Sequence, residues 1–303
     1  MARPLHFSLI ILILTFTFTI TAPIALSATF TLVNQCTYTV WPGILSGAGT
    51  QPLSTTGFSL SSGDSFPLSV PASWSGRIWG RTLCSQDPAT GKFACTTADC
   101  GSGTVECSGA GAVPPATLAE FTLNGAGGLD FYDVSLVDGY NLPMLVVPQS
   151  GGNCSSTGCV GDLNESCPSE LKVVGGASGG ECVACRSACE AFGDPKYCCS
   201  GGYNTPETCG PTQYSQVFKN ACPRAYSYAY DDKTSTFTCA SADYIITFCP
   251  TPSHSKKASG EAIGGLGNVS LVSSRAHLST QISCRMLIFV VAIFQLHLWR
   301  WQH

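Results

Sequence analysis

Cysteine content constrains this chain more than any other feature: 17 cysteines lie between Cys36 and Cys249. Residues 1–27 combine a basic start, an apolar run and small residues up to Ser27, which is the pattern of a secretory signal peptide rather than of a membrane anchor. Thiols pair in an oxidising compartment, so this density predicts a disulfide framework rather than a redox or zinc pair at Cys182-Val-Ala-Cys185. Spacing does not assign the partners, and an odd number leaves one thiol over.

Histidine is absent from the cysteine-rich body, residues 28–252, because all five histidines lie in the two tails. This excludes histidine-based triads, histidine-ligated zinc and histidine general bases from the body. The same segment holds 18 of the 19 Asp and Glu residues but 9 of the 15 Lys and Arg residues. An acidic body binds nucleic acid poorly, since counterion release needs clustered basic side chains. We therefore expect no nucleic acid, no metal and no cofactor, and catalysis in the body would rest on carboxylates, hydroxyls or thiols.

Strand and turn patterns dominate the body, with Gly and Pro clusters between alternating segments. The alternation predicts strands at residues 29–34, 38–41, 121–123, 129–134 and 244–249. Helical periodicity at residues 181–192 places Cys185 and Cys189 on one face, and a second helix is predicted over residues 212–221 after Pro211.

Composition changes after Pro252 to a Ser/Gly-rich linker, residues 253–285, followed by a hydrophobic tail, residues 286–303. An apolar run of 14 residues would rise about 21 Å as a helix, short of the roughly 30 Å hydrocarbon core. Small residues, a spacer and a short tail favour a glycosylphosphatidylinositol (GPI) anchor at Ser274. The alternatives are a retained membrane segment and a secreted protein with a trimmed tail.

Three sequons predict N-glycosylation, at Asn153, Asn164 and Asn268.

Several motifs together are similar to one known family. They are GKFACTTADCGSGTVEC at residues 91–107, DVSLVDGYNLPM at 133–144, YSYAYDD at 226–232 and TFCP at 247–250. The chain resembles the thaumatin-like proteins, pathogenesis-related family 5 of plants, over about residues 28–252. The resemblance implies a mainly β fold, which consists of a flattened β-sandwich (28–81, 121–160 and 224–252), a small disulfide-braced loop domain (82–120) and a disulfide-rich, partly helical insert (161–223).

The same resemblance implies eight disulfides. They are Cys36–Cys249, Cys84–Cys95, Cys100–Cys107, Cys154–Cys239, Cys159–Cys222, Cys167–Cys185, Cys189–Cys198 and Cys199–Cys209. Cys182 departs from the family pattern, and because it lies three residues from Cys185, Cys167–Cys182 stays open as an alternative pairing.

The family resemblance also implies an acidic cleft between the sandwich and the insert. Matched motif by motif, its residues are Arg77, Glu120, Asp133, Asp138 and Asp232. Four carboxylates in one concave site repel one another, so at least one should resist ionisation, while Arg77 offsets part of the charge. The alternative is a purely structural role, in which Glu120 and Arg77 form a salt bridge and the aspartates accept hydrogen bonds from backbone amides of turns.

Together these features predict a monomeric, extracellular plant defence protein, secreted and GPI-anchored, that recognises β-1,3-glucan or another fungal wall polysaccharide through this cleft. One alternative is a weak endo-β-1,3-glucanase in which Glu120 is the acid and Asp133 its partner, since two carboxyl groups suffice to cleave a glycosidic bond. Another is an inhibitor or cell-surface interaction protein.

Overall fold

Thirteen strands account for most of the regular structure in a computed structural model that describes residues 27–149, 152, 154–176 and 180–251. The strands are β1 Ser27–Asn34, β2 Trp41–Ser46, β3 Ser65–Pro71, β4 Ser75–Gln86, β5 Phe93–Thr97, β6 Leu118–Thr122, β7 Asp130–Ser135, β8 Met144–Gln149, β9 Thr157–Cys159, β10 Lys172–Val174, β11 Cys182–Cys185, β12 Phe237–Cys239 and β13 Asp243–Phe248.

Two large sheets form the sandwich. One has the strand order β3-β1-β13-β8-β9, and the other has the order β12-β7-β6-β4-β2, with β5 paired to β4 beside that path. Strands β1 and β13 pair in parallel, which joins the beginning and the end of the described chain, while the other pairings of the large sheets are antiparallel. The mainly β sandwich expected from the resemblance is therefore confirmed.

Aromatic side chains fill the space between the two sheets. Phe30 and Tyr244 from the five-stranded sheet contact Phe121 of the other sheet, with ring centroids 4.5 and 5.2 Å apart respectively. Tyr132 also contacts Tyr244, at 5.2 Å, and all four rings are buried. Large rings in such contacts bury much apolar surface, so this cluster stabilises the packing of sheet on sheet.

Alternation along β6 and β7 decides which side chains leave the sandwich core. Ala119 and Phe121 of β6 and Tyr132 and Val134 of β7 point inward and are buried. Because successive side chains on a strand face opposite sides, Glu120 and Asp133 lie on the outer face of the six-stranded sheet.

Among the described residues, five helices lie in the insert and after it, and three short 3₁₀ turns lie between β6 and β7 and within the insert. The helices are α1 Leu163–Ser166, α2 Ala188–Phe192, α3 Pro195–Cys198, α4 Gln213–Ala221 and α5 Asp232–Ser235, and the turns are Ala126–Gly128, Ser169–Leu171 and Gly201–Tyr203. The helix predicted over residues 212–221 is confirmed as α4, which begins after Thr212 in a reciprocal capping box with Ser215.

The helix predicted over residues 181–192 is wrong in its first half. Cys182–Cys185 forms β11, and only Ala188–Phe192 is helical. Cys185 exchanges two backbone hydrogen bonds with Tyr140, of 2.8 and 2.7 Å, and its sulfur is bonded to Cys167. These long-range contacts outweigh the weak local preference for a helix.

Two smaller differences concern strand ends. Residues 38–40 lie outside a regular strand, since β2 begins at Trp41 and Val40 forms only an isolated bridge with Leu60. Strands β4 and β6 also continue across the 81/82 and 120/121 boundaries expected for the loop domain, so this domain grows out of the six-stranded sheet.

Eight disulfides brace the described part of the chain, with the pairings that the resemblance implied. Cys167 pairs with Cys185, which excludes the Cys167–Cys182 alternative in this structure, and the half-buried Cys182 forms no disulfide within the described chain. The Cys36–Cys249 bridge closes 213 residues and staples β1 to the end of β13.

Candidate functional site

A row of three ionisable side chains crosses the outer face of the six-stranded sheet. Arg77 on β4 is the register partner of Glu120 on β6, and Glu120 is the register partner of Asp133 on β7. Directly opposed residues of antiparallel strands have Cβ atoms about 4.5–5.5 Å apart, so each side chain lies beside the next. Three separate sequence motifs are therefore aligned by strand register alone.

Arg77 and Glu120 form an ion pair, with 3.5 Å between Nε and Oε1. Both side chains are partly exposed, at 42% and 35%, so the pair is open to solvent and to a ligand. Burial nevertheless raises the pKa of Glu120, and Arg77 opposes this shift while the charge of Asp138 adds to it. An exposed pair of this kind contributes little to stability, which leaves Arg77 available to orient a partner.

Asp133 is the most perturbed carboxyl group of the row. Burial, together with the negative charges of Glu120 and Asp232, raises its pKa to about 8, and Arg77 only partly opposes the shift. Its Oδ1 atom is buried and makes no hydrogen bond to any residue that the structure describes. A buried oxygen without a partner is unfavourable for a carboxylate, so the protonated form of Asp133 is favoured near neutral pH.

Asp138 and Asp232 complete a cleft of about 360 Å³ that also contains the whole row. We call this site, lined by Arg77, Glu120, Asp133, Asp138 and Asp232, the acidic cleft. The five residues expected to share a cleft are thus brought together. A second cavity of about 370 Å³ adjoins it and shares Arg77, Glu120 and Asp133 as lining residues.

A tight turn holds Asp138 at the junction of the three parts of the fold. Ala116 N–H donates to the carbonyl of Asp138 at 2.9 Å. The next residue, Gly139, has a φ of +86°, and a Cβ there would lie 2.6 Å from Pro115 and 2.7 Å from the Cys185 carbonyl. Only glycine suits both this backbone conformation and this close approach.

Tyr226 is a cleft residue that the sequence analysis missed, although it opens the motif that contains Asp232. It lines the acidic cleft, and its hydroxyl donates to Asp232 Oδ1 at 2.9 Å and also contacts Thr236 Oγ1.

Glu190 of α2 is a second residue near the acidic cleft that the sequence did not reveal. Burial and the charge of Asp138 raise its pKa to about 7 against the effect of Arg186, whose Nε lies 3.6 Å from Glu190 Oε1. No local motif marks Glu190, since only folding brings α2 near Asp138.

The remaining sequence predictions concern processing and metals. Several predicted processing features lie outside the described residues, namely the signal peptide up to residue 26, Asn153, Asn268, Ser274 and the hydrophobic tail. Asn164 Nδ2, the atom to which a glycan would be attached, donates to the carbonyl of Asn141 at 3.2 Å. Across residues 27–251, apart from the gaps given above, no cluster of metal-binding side chains is found, and no helix is both long and apolar enough to cross a membrane.

Comparison with known proteins agrees with the motifs and the fold. The profile of the thaumatin family matches residues 34–250. The chain belongs to the thaumatin family. Thaumatin-like protein 1 of Arabidopsis thaliana is 59% identical over 231 residues, which cover 74% of this chain and 86% of that protein. Pathogenesis-related thaumatin-like protein 3.5 of Cryptomeria japonica is 58% identical over 226 residues, which cover 74% and 91%. This thaumatin-family chain is thus of the plant pathogenesis-related type.

Two further similar proteins have names that state an activity. A Prunus avium protein named glucan endo-1,3-beta-glucosidase is 59% identical to this thaumatin-family chain over 226 residues, which cover 74% of the chain and 91% of that protein. The solved structure of a thaumatin-like xylanase inhibitor is 26% identical, covers 73% of this chain and 99% of its own, and aligns with a TM-score of 0.39.

Proposed function

We propose that this protein is an extracellular plant defence protein that binds fungal wall β-1,3-glucan through the acidic cleft. The observation that carries the proposal is that Arg77, Glu120, Asp133, Asp138 and Asp232 line one open cleft. Sugar hydroxyls both donate and accept hydrogen bonds, and this cleft offers carboxylate acceptors, the Arg77 guanidinium as donor and a protonated Asp133 that can do both.

Binding to insoluble β-1,3-glucan, with soluble β-1,3-gluco-oligosaccharides as competitors, tests the proposal. We expect the wild-type protein to be retained, and Glu120→Gln to bind about tenfold more weakly because hydrogen bonds to charged groups contribute about 1.5–3 kcal/mol each. Asp64→Asn serves as the matched control, since Asp64 is exposed and lies outside the acidic cleft. Retention that is unchanged by Glu120→Gln would show that the glucan binds elsewhere.

A weak endo-β-1,3-glucanase activity is the second candidate, and the juxtaposition of Glu120 and Asp133 favours it. Retaining glycosidases place their two carboxyl groups about 5–5.5 Å apart, a separation that neighbouring register partners can reach. The 59% identity to a protein named as a β-1,3-glucanase also supports it. The protonation states favour Asp133 as the acid and Glu120, beside Arg77, as the nucleophile, which reverses the roles assigned from the sequence.

Release of reducing ends from soluble β-1,3-glucan separates binding from hydrolysis. We expect a low wild-type rate that falls at least about a hundredfold in both Asp133→Asn and Glu120→Gln, the size of effect typical of a general acid–base group. If both variants release reducing ends as fast as the wild-type protein does, the carboxylates do not catalyse the reaction. If none are released but the glucan is retained, the binding proposal stands alone.

We further infer that the protein reaches the cell exterior and is held there by a GPI anchor at Ser274. Eight disulfides fit an oxidising, extracellular compartment. Treatment of intact plant cells with a phosphatidylinositol-specific phospholipase should release the protein into the medium. Resistance to the phospholipase, with the protein still in the membrane fraction, would favour a retained membrane segment instead.

A further inference from the structure

Asp232 reaches the acidic cleft from a segment that has little local support. The segment, residues 225–236, follows the insert, and its only regular element is the four-residue helix α5. Isolated helices this short are not stable in water. Asp232 itself is exposed, so its position depends on contacts that the rest of the segment makes.

Lys219 supplies the main anchor of this segment. It lies on α4 of the insert, and its Nζ donates to the Ala225 carbonyl at 3.0 Å and to Ser235 Oγ at 2.9 Å. The same Nζ lies 2.8 Å from Asp231 Oδ2, in an ion pair whose side chains are only 24% and 11% exposed. One ammonium group therefore uses its three donors on three points of the segment.

Asp231 connects Lys219 to the residues on both sides of Asp232 through further hydrogen bonds. Its Oδ2 atom also accepts hydrogen bonds from the N–H and the hydroxyl of Ser227, both at 3.0 Å, and its Oδ1 accepts from Thr234 Oγ1 at 3.2 Å. Ser227 follows Tyr226, whose hydroxyl donates to Asp232 Oδ1. The segment is thus tied internally on both sides of Asp232.

The segment is also attached to the sheet that carries Asp133. Tyr226 N–H donates to the Val134 carbonyl at 2.9 Å, and Leu136 N–H donates to the Tyr226 carbonyl at 2.8 Å. The segment therefore spans the insert, through Lys219, and the six-stranded sheet, through Tyr226. Movement at the Lys219 end would displace Asp232 relative to the row on the sheet.

We propose that Lys219 is a positioning residue of the acidic cleft, which acts through the Asp231 ion pair to set the place of Asp232. The proposal rests on the proposed glucan binding by the same cleft. Lys219 does not line the cleft, so its effect on a ligand passes through the segment.

A double-mutant cycle on the full protein tests this role, with a soluble β-1,3-gluco-oligosaccharide as the probe. We expect Lys219→Met to weaken binding about three- to tenfold in the wild-type background and to have no further effect in the Asp232→Asn background. The effects of two substitutions on binding do not add when one residue acts through the other. Equal loss in both backgrounds would overturn the proposal, since a general loss of stability is additive.

Matched variants keep the cycle interpretable. Lys196→Met is the control, because Lys196 forms an ion pair with Asp194 at 3.5 Å within the insert and does not line the cleft. We expect it to leave the affinity unchanged. If Lys219→Met does not fold, Asp231→Asn breaks the same ion pair with a side chain of equal size. In the same cycle, a loss of affinity in the wild-type background alone supports the proposal, and an equal loss in both backgrounds overturns it.

Hydrogen exchange separates failure of this proposal from failure of the proposed function, because it needs no ligand. Lys219→Met should accelerate exchange of the Ser227 and Thr236 amides, which donate to Asp231 Oδ2 and to the Asp232 carbonyl, while strand β7 stays protected. Unchanged exchange in residues 225–236 would overturn the positioning role. A wild-type protein that binds no oligosaccharide would instead refute the glucan proposal.

Discussion

Glu120 and Asp133 are register partners on the antiparallel strands β6 and β7, and both side chains lie on the outer face of the sheet. Like charges placed directly opposite each other across a sheet are destabilising. The protein accommodates the pair by holding Asp133 protonated and by placing Arg77 on the other side of Glu120. The chemistry of the acidic cleft therefore originates in strand register.

Stability should depend on pH through Asp133. Because its native pKa is raised to about 8, the native state holds a proton between about pH 4 and pH 8 that the unfolded chain releases. Stability is therefore lost as pH rises through this window, by about 1.4 kcal/mol for each unit separating the two pKa values. Thermal unfolding of Asp133→Asn, measured from pH 4 to pH 9, should show a flatter profile than wild type. Parallel profiles would contradict the raised pKa.

Removing Arg77 should raise the pKa values of two neighbouring carboxyl groups. Arg77 opposes the upward shifts of both Glu120 and Asp133, so Arg77→Met leaves their mutual repulsion without compensation. Carboxyl carbon NMR titrations should place both midpoints at higher pH than in wild type. Arg186→Met, which removes a guanidinium from Glu190 instead, is the control and should leave the Asp133 midpoint in place. An unchanged Asp133 midpoint in Arg77→Met would contradict the coupling.

Arg81 should be essential for the loop domain. It is fully buried, and its guanidinium donates to the carbonyls of Trp41, Pro42 and Val105 at 3.0, 3.1 and 2.6 Å. Arg81→Met removes these hydrogen bonds, and we expect a loss of about 3 kcal/mol or more, because buried hydrogen bonds to charged groups contribute about 1.5–3 kcal/mol each. Denaturant unfolding measures the loss. A change below about 1 kcal/mol would mean that solvent replaces the guanidinium.

The longest disulfide should stabilise the fold more than a short one. Removal of Cys36–Cys249, which closes 213 residues, should cost about 5 kcal/mol in the chain-entropy model. Removal of Cys84–Cys95, which closes 11 residues within a strand pair, should cost about 3 kcal/mol by the same model. Double serine variants compared by denaturant unfolding measure both values. Equal losses would show that strain or residual structure in the unfolded chain outweighs loop length.

Asn164 should carry no glycan in the folded protein. Its Nδ2 donates to the carbonyl of the buried Asn141, and its Oδ1 is buried as well. A glycan takes the place of one of the two Nδ2 hydrogens, and it would have to leave from a side chain that is held against Asn141 and only partly exposed. Glycopeptide mass spectrometry on protein expressed in plant cells should find the Asn164 peptide unmodified. A fully occupied site would mean that the 163–166 helix packs differently after modification.

The sequence predicted the long alternating elements because their periodicity is local. Residues 29–34 and 244–249 coincide with β1 and β13 to within two residues, and residues 212–221 coincide with α4. The interpretation failed at residues 181–186, where the apparent helical period is overridden by the Cys167–Cys185 disulfide and by the backbone pairing of Cys185 with Tyr140. Contacts across long stretches of chain leave no periodic signal.

The sequence by itself determined that the body is stapled by disulfides, that it contains no histidine chemistry and that it is acidic, because these follow from which residues are present. Motif resemblance added the identities of the five residues of the acidic cleft. Only the tertiary structure decided that Asp133 is the carboxyl group whose protonated form is favoured, that Cys182 is the cysteine without a disulfide among the described residues and that Lys219 anchors the Asp232 segment. Burial, register and the geometry around each group set its charge and its partners, and these arise only when distant parts of the chain pack together.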